Sequence, residues 1–279
     1  MLTNGNWITQ LPEIPPRINI LGVGVHAINQ EKTLNLVFNA LRSKSRGYIC
    51  VTSAHGIIEA QEDPSFRKIL NDSFLTVPDG MPLVWTGKLM GVRTIGRVYG
   101  PDLMRQICDQ GRNFGLRHFL YGGRSGVVEL LKARLEVLYP GVKVVGIFTP
   151  PFRPLNENEK AELIKAVEKA QPDIIWVGLS TPKQEKFMHE YLHILPTTLM
   201  FGVGAAFDLI SGLVPEAPQW MQHCGLEWLF RLCVEPRRLW KRYTKIVPRY
   251  PVLVALQLLG LKKYHLHQPN PLKDVSPFK

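Results

Sequence analysis

Cysteine is scarce: Cys50, Cys108, Cys224 and Cys233 are the four in 279 residues, and no CxxC spacing occurs. So few thiols cannot staple a chain of this length, and they read as reduced cysteines of a cytosolic protein. Long apolar runs are missing too. Tyr250–Leu261 is 12 residues long and contains Gln257, against the ~20 apolar residues that a membrane-crossing helix needs. Met1–Pro16 is polar and proline-rich, without the basic start and apolar stretch of a secretory leader. Internal repeats and low-complexity tracts are absent. With 45% hydrophobic and 20% charged residues, the composition excludes a disordered or collagen-like chain. The length suits one large α/β domain, alone or with a small appendage.

Acidic residues are thin at one end. The formal net charge is +11, and eleven basic against three acidic residues from Gly225 to Lys279 supply +8 of it, leaving +3 for residues 1–224. The basicity is therefore a property of the tail, and it points to anions: nucleic acid, acidic lipid or a phosphorylated substrate.

What is present in quantity is alternation. Short apolar runs at Ile18–Val25, Tyr48–Ser53, Phe74–Val77, His118–Tyr121, Val142–Phe148, Ile174–Leu179 and Thr198–Val203 predict strands. Most are nearly continuous, as parallel strands buried on both faces are. Between them, Gly126–Leu138 and Glu157–Ala170 carry apolar residues at helical spacing. The pattern predicts a Rossmann-like, doubly wound and mainly parallel sheet over residues 1–224. Residues 225–279 read as a basic helical appendage punctuated by Pro236, Pro248 and Pro251. In such a fold ligands bind in the loops after the strands, which confines the chemistry to a few positions.

Each loop motif has a chemical and a structural reading. Gly122-Gly123-Arg124-Ser125-Gly126 suits a phosphate cradled by backbone N–H groups at a helix start, or a tight turn. Gly22-Val23-Gly24 and Gly202-Val203-Gly204 are partial dinucleotide fingerprints, with Ala27 and Phe207 in place of the third glycine. They keep an NAD-dependent oxidoreductase open as an alternative. Asp79, between Pro78 and Gly80, is either an Asx-turn former or a general base. At an ordinary carboxylate pKa of about 3.9 it is a weak base. Thr181, Pro182 and Gln184 fit the cap, first and third positions of a helix. Capping does not explain Lys183, a cation at the positive helix end, which a bound anion would offset.

His189-Glu190-Tyr191-Leu192-His193 matches H-E-x-x-H, with Glu216 as a conceivable third ligand. A zinc hydrolase is the second alternative; the same histidines otherwise flank the apolar stripe of a helix. In the tail, basic residues interleave with Trp220, Trp228, Trp240, Tyr243 and Tyr250. That mixture suits an acidic membrane surface or single-stranded nucleic acid, and the apolar stretch Val252–Leu261 favours the membrane over nucleic acid.

Seven short motifs in order carry a resemblance. They are Pro78-Asp79-Gly80, Arg97–Leu103, Phe119–Gly123, Pro182–Glu185, Gly202–Asp208, Ala217-Pro218-x-Trp220 and Gly225–Leu232. Together they resemble the WecG/TagA/CpsF glycosyltransferases over about Ile18–Tyr243. The resemblance implies an inverting enzyme that moves a sugar from a UDP-sugar to a polyprenyl-diphosphate-linked saccharide during bacterial surface polysaccharide synthesis. It implies work on the cytoplasmic face of the cell membrane, with neither cofactor nor metal, and leaves self-association open. By similarity Asp79 is the catalytic base and Gln184, between Lys183 and Glu185, binds substrate. Thr52, Arg97 and the Gly122-Gly123 turn join the substrate site, and Arg231, Arg238 and Lys241 complete it over the diphosphate, with Arg242 adjacent. The chain departs from the family at Ala54, where an asparagine is usual, and at Glu216, where a basic residue is common.

Overall fold

Six runs rich in β-branched and aromatic residues pair as one parallel sheet, and the intervening helices cover both of its faces. The computed structural model describes residues 13–266. The chain opens with a hairpin, β1 (Arg17–Ile20) and β2 (Val23–His26), and then alternates. In order come α1 (Gln30–Arg42), β3 (Gly47–Thr52), α2 (Ala54–Glu62), α3 (Pro64–Asp72), β4 (Leu75–Pro78), α4 (Met81–Leu89) and α5 (Gly100–Gly111). There follow β5 (Arg117–Gly122), α6 (Val127–Leu138), β6 (Lys143–Phe148), α7 (Glu157–Ala170), β7 (Ile174–Gly178), α8 (Lys183–Tyr191), β8 (Leu199–Gly202) and α9 (Ala206–Ile210). Three more helices end the described chain: α10 (Gln219–His223), α11 (Glu227–Val234) and α12 (Pro236–Leu258).

The sheet order is β4-β3-β8-β7-β5-β6, parallel throughout. Strand alternation divides the core in two. Tyr48, Cys50, Phe119, Tyr121, Ile175 and Val177 enter one hydrophobic cluster; Ile49, Val51, Leu120, Ile174 and Trp176 enter the other. Both faces are buried, so the doubly wound α/β fold expected from the sequence is observed.

The strand expected over Ile18–Val25 is instead a hairpin outside this sheet. Ile20 pairs with Val23 antiparallel, and the two turn residues between them, Leu21 and Gly22, have φ of 51° and 83°. A two-residue hairpin of this kind needs left-handed backbone at both turn positions. Leu21 adopts it because its neighbours hold it: its N–H donates to Gln257 Oε1 at 2.9 Å, and its carbonyl accepts from Gln61 Nε2 at 2.8 Å. Gly22-Val23-Gly24 is thus a hairpin turn, not a strand-to-helix phosphate loop.

The last helix belongs energetically to the core. Ile246, Tyr250 and Val254, spaced by four, join the first cluster, each apolar side chain worth roughly 1.5–3 kcal/mol when fully buried. Tyr250 also hydrogen-bonds Thr86 Oγ1 at 2.9 Å. Pro248 and Pro251, expected as punctuation, lie inside one continuous helix. Both prolines are exposed, as are Thr244 and Val247, the residues four positions before them whose carbonyls a proline cannot bond. The tail charges Lys273, Asp274 and Lys279 and the opening residues 1–12 lie outside the described residues.

Candidate active site

The carboxyl ends of the strands open into a cleft of about 720 Å³, lined by Asp79 after β4, Gly123 after β5, Ser180 after β7 and Gly204 after β8. Residues of α11 and α12 form one wall, and the loop Pro150–Leu155 lies along another stretch. Eight Arg and Lys residues line the cleft against four Asp and Glu, so it suits an anionic ligand.

Asp79 is held at every polar atom of its backbone and at one carboxylate oxygen. Its N–H donates to the Thr52 carbonyl at 2.9 Å, and its carbonyl accepts from Arg97 Nε at 2.6 Å. Its Oδ1 accepts from the Gly100 N–H at 3.2 Å, at the start of α5. Burial pushes the carboxyl up to about 6; Arg97 opposes the shift and the nearby Glu227 carboxylate reinforces it. A carboxylate of that acidity is a far better proton acceptor at neutral pH than an ordinary aspartate.

Arg97 acts as a buckle. Its guanidinium pairs with Glu227 of α11, reaches Gln222 Oε1 at 3.2 Å, and lies 4.1 Å from the Tyr99 ring centroid. It joins the Asp79 loop to the C-terminal helices from behind the cleft wall. Thr52 is likewise behind the wall, buried at the end of β3, and serves the site through its carbonyl. Gly122 is not a lining residue; with φ of 126° it packs so closely on Gly178 that a Cβ would lie 2.7 Å from that backbone. Gly123 does line the cleft, its N–H bound to the Gly178 carbonyl at 3.0 Å.

The Ser180–Glu185 segment departs from the expected capping box. Residue 182 is a cis proline that itself precedes the first helical residue, Lys183, and no side chain caps α8. Thr181 instead donates through Oγ1 to Glu185 Oε1 at 2.8 Å, and Gln184 Nε2 donates to the same oxygen at 3.0 Å. Glu185 is fully buried beneath the cleft, and that burial raises its pKa. Lys183 and Gln184 line the cleft, and Ser180 does so with φ of 66°. Strained non-glycine backbone of this sort collects at functional sites.

On the helical wall, Arg231 and Arg238 line the cleft, both beside Glu235. Lys241 points elsewhere: it is exposed, with its ammonium 5.7 Å from the Trp240 ring centroid. The third cation is Arg242, 3.5 Å from Ser180 Oγ. Arg238 and Arg242, four apart on α12, share a face that meets Arg231 of α11 at the cleft, and Lys241 is not among the lining residues. His55, unassigned in the sequence reading, also lines the cleft; burial, with help from Arg242 and Lys245, pushes its pKa down to about 3 and keeps it neutral. Three cleft residues each hold a buried polar atom without a partner: Tyr99 Oη, Gln184 Oε1 and Arg231 Nε.

The H-E-x-x-H histidines do not converge with the suggested third ligand. His189 approaches the Tyr48 hydroxyl at 3.3 Å, His193 lies in the turn after α8, and Glu216 pairs with Arg105. Among the described residues no group of three or more His, Cys, Asp or Glu side chains is placed to hold a metal. At Gly202 the glycine is explained by packing, since a Cβ would lie 2.8 Å from Met188 Cε and 3.0 Å from Gln184 Nε2.

Comparison with known proteins shows the family. The profile of the glycosyl transferase WecG/TagA/CpsF family matches residues 18–264. The chain belongs to that family. Among its relatives is an N-acetylglucosaminyldiphosphoundecaprenol N-acetyl-beta-D-mannosaminyltransferase of Bacillus subtilis, 32% identical over 215 residues, covering 77% of this chain and 80% of the relative. A protein of the same description from Bacillus spizizenii is 31% identical over 234 residues, 84% of this chain and 88% of its own. The match to the WecG/TagA/CpsF family runs through the whole of α11 and α12, so the helical wall of the cleft lies within the shared region.

Proposed function

We propose that the protein is an inverting glycosyltransferase that moves an N-acetylhexosaminyl group from a UDP-sugar to a lipid-diphosphate-linked sugar. The observation that carries this reading is a half-buried aspartate, its pKa raised to about 6, in a cation-lined cleft. The two Bacillus relatives, named for transfer to N-acetylglucosaminyldiphosphoundecaprenol, support that acceptor class.

In this mechanism the Asp79 carboxylate takes the proton of the acceptor hydroxyl. The freed oxygen attacks the anomeric carbon from the side opposite the nucleotide, the bond to UDP breaks, and the configuration inverts. Negative charge grows on the departing diphosphate. Arg231, Arg238 and Arg242, which line the cleft, stabilise it as preorganised cations, and no metal or other cofactor is assigned a part. Gln184 and Lys183 contact the sugar and phosphate portions.

The same reading sets the enzyme on the inner face of the bacterial membrane. Val252, Leu258, Leu259 and Leu261 are exposed along the end of α12 and just after it, beside Lys262 and Lys263. Among the described residues no helix is long and apolar enough to cross a membrane; an interfacial seat uses apolar side chains in the acyl boundary and lysines on lipid phosphates.

Replacing Asp79 tests the mechanism. With UDP release as the readout, Asp79→Asn is expected to lower turnover by roughly 10²–10⁴-fold while UDP binding is retained. Wild-type turnover in that variant would overturn the assignment.

A further inference from the structure

Tyr99 ends the segment between α4 and α5, one residue before the Gly100 N–H that donates to Asp79 Oδ1. Its ring is well accounted for. The residue is 7% exposed, packs with Leu209 and Val214, and its ring lies under the Arg97 guanidinium. Its hydroxyl is not accounted for by any of these contacts. Oη is buried and has no hydrogen-bond partner, although Tyr99 lines the same cleft as Asp79.

A buried unpaired hydroxyl is a net cost to folding, and a phenylalanine would fill the space and stack on the arginine without it. Burial and the carboxylates of Glu227, Asp79 and Glu216 all hold the phenol in its protonated form. The group is therefore an O–H donor with nothing to donate to, set one residue from an N–H that fixes the proposed base.

We propose that Tyr99 is a substrate-contacting residue whose phenolic O–H donates to an oxygen of the acceptor sugar and so orients the hydroxyl that Asp79 deprotonates. The acceptor is favoured over the donor because Tyr99 stands with Asp79 at the start of α5. The arginines assigned to the nucleotide diphosphate belong instead to the wall that α11 and α12 form, and Arg231 is the one of them that acts on the Asp79 charge. This inference rests on Asp79 serving the acceptor hydroxyl.

The test is Tyr99→Phe in the full chain, which deletes one oxygen and keeps the ring. Kinetics with UDP-N-acetylmannosamine and polyprenyl-diphosphate-linked N-acetylglucosamine are expected to show an acceptor KM raised about tenfold, as for loss of one buried hydrogen bond. The donor KM should stay within about twofold, and the thermal midpoint should hold or rise, because the unpaired group is gone. An unchanged acceptor KM would overturn the proposal, as would a lower thermal midpoint with both KM values raised, which is the mark of a structural role. Acceptor titration of Asp79→Asn against the Asp79→Asn/Tyr99→Phe double variant gives the same answer without turnover: about tenfold weaker binding in the double variant supports it, and equal binding overturns it. Full turnover by Asp79→Asn would instead sink the reading of Asp79, with Tyr99 still judged by that titration.

Discussion

At the residue scale, proton transfer hinges on the balance of charges around one carboxyl. Burial makes ionisation of Asp79 costly, Arg97 makes it cheaper, and Glu227 makes it costlier again. Glu227 also pairs with Arg97, so it draws off part of the cation's help. The activity governed by Asp79 should therefore rise with pH along a limb near pH 6, because the carboxylate is the working form and protonation below that pKa disables it. Glu227→Gln removes a negative neighbour and releases Arg97 from its ion pair. Both changes favour the ionised carboxylate, so the acid limb of kcat/KM should move to lower pH. A pH–rate profile decides it: an unmoved limb, or one displaced upward, would mean that Glu227 does not tune Asp79. None of this tuning was legible beforehand. Pro78-Asp79-Gly80 marks a turn with a carboxylate, but Glu227 and Arg97 come from distant segments, and only the fold sets them around it.

At the element scale, periodicity proved most informative where burial is two-sided. The strands of the parallel sheet appear close to their expected places because continuous apolar runs have few other stable uses. The misread run, Ile18–Val25, is equally apolar, and its hairpin is decided by Leu21, a residue with no intrinsic taste for left-handed backbone. Gln257, from α12, supplies the partner that makes this conformation tenable, and no local pattern encodes a contact over that separation. Helix phase alone does not separate residues 241 and 242, which stand three and four positions after Arg238. The resemblance set Lys241 in the site, whereas the helix turns Arg242 into the cleft and Lys241 out of it. Lys241→Ala should leave kcat/KM within about twofold of wild type, as surface changes away from partners usually do. Arg242→Ala should lower it at least tenfold, the scale of one charged contact to a phosphate. Steady-state kinetics on the pair checks this, and a larger loss at Lys241 would return the site to the order expected from the sequence.

At the scale of the whole molecule, the +11 charge resolves into separate tasks. Lys245 and Arg249 are engaged with Glu59 and Glu62, clamping α12 to α2. Arg231, Arg238 and Arg242 face the cleft. Lys262 and Lys263 follow α12 as exposed cations next to Leu259 and Leu261, each of which is more than 70% exposed. This division argues against a polyanion laid along the tail, since part of the basic set is internally paired and part is turned into the cleft. It matches a short interfacial seat, in which apolar side chains enter the lipid boundary and each nearby lysine adds about 1 kcal/mol on an anionic surface. Sedimentation with vesicles containing anionic phospholipid should pull down the wild-type protein, less so as salt rises and screening shortens the reach of the lysines. Leu259→Glu/Leu261→Glu should weaken that association at least tenfold with the thermal midpoint unchanged, because both side chains are already solvent-exposed in the fold. Equal sedimentation of the double variant would place the membrane contact elsewhere on the protein. Binding that survives the leucine changes but disappears with salt would leave the lysines as the sole attachment.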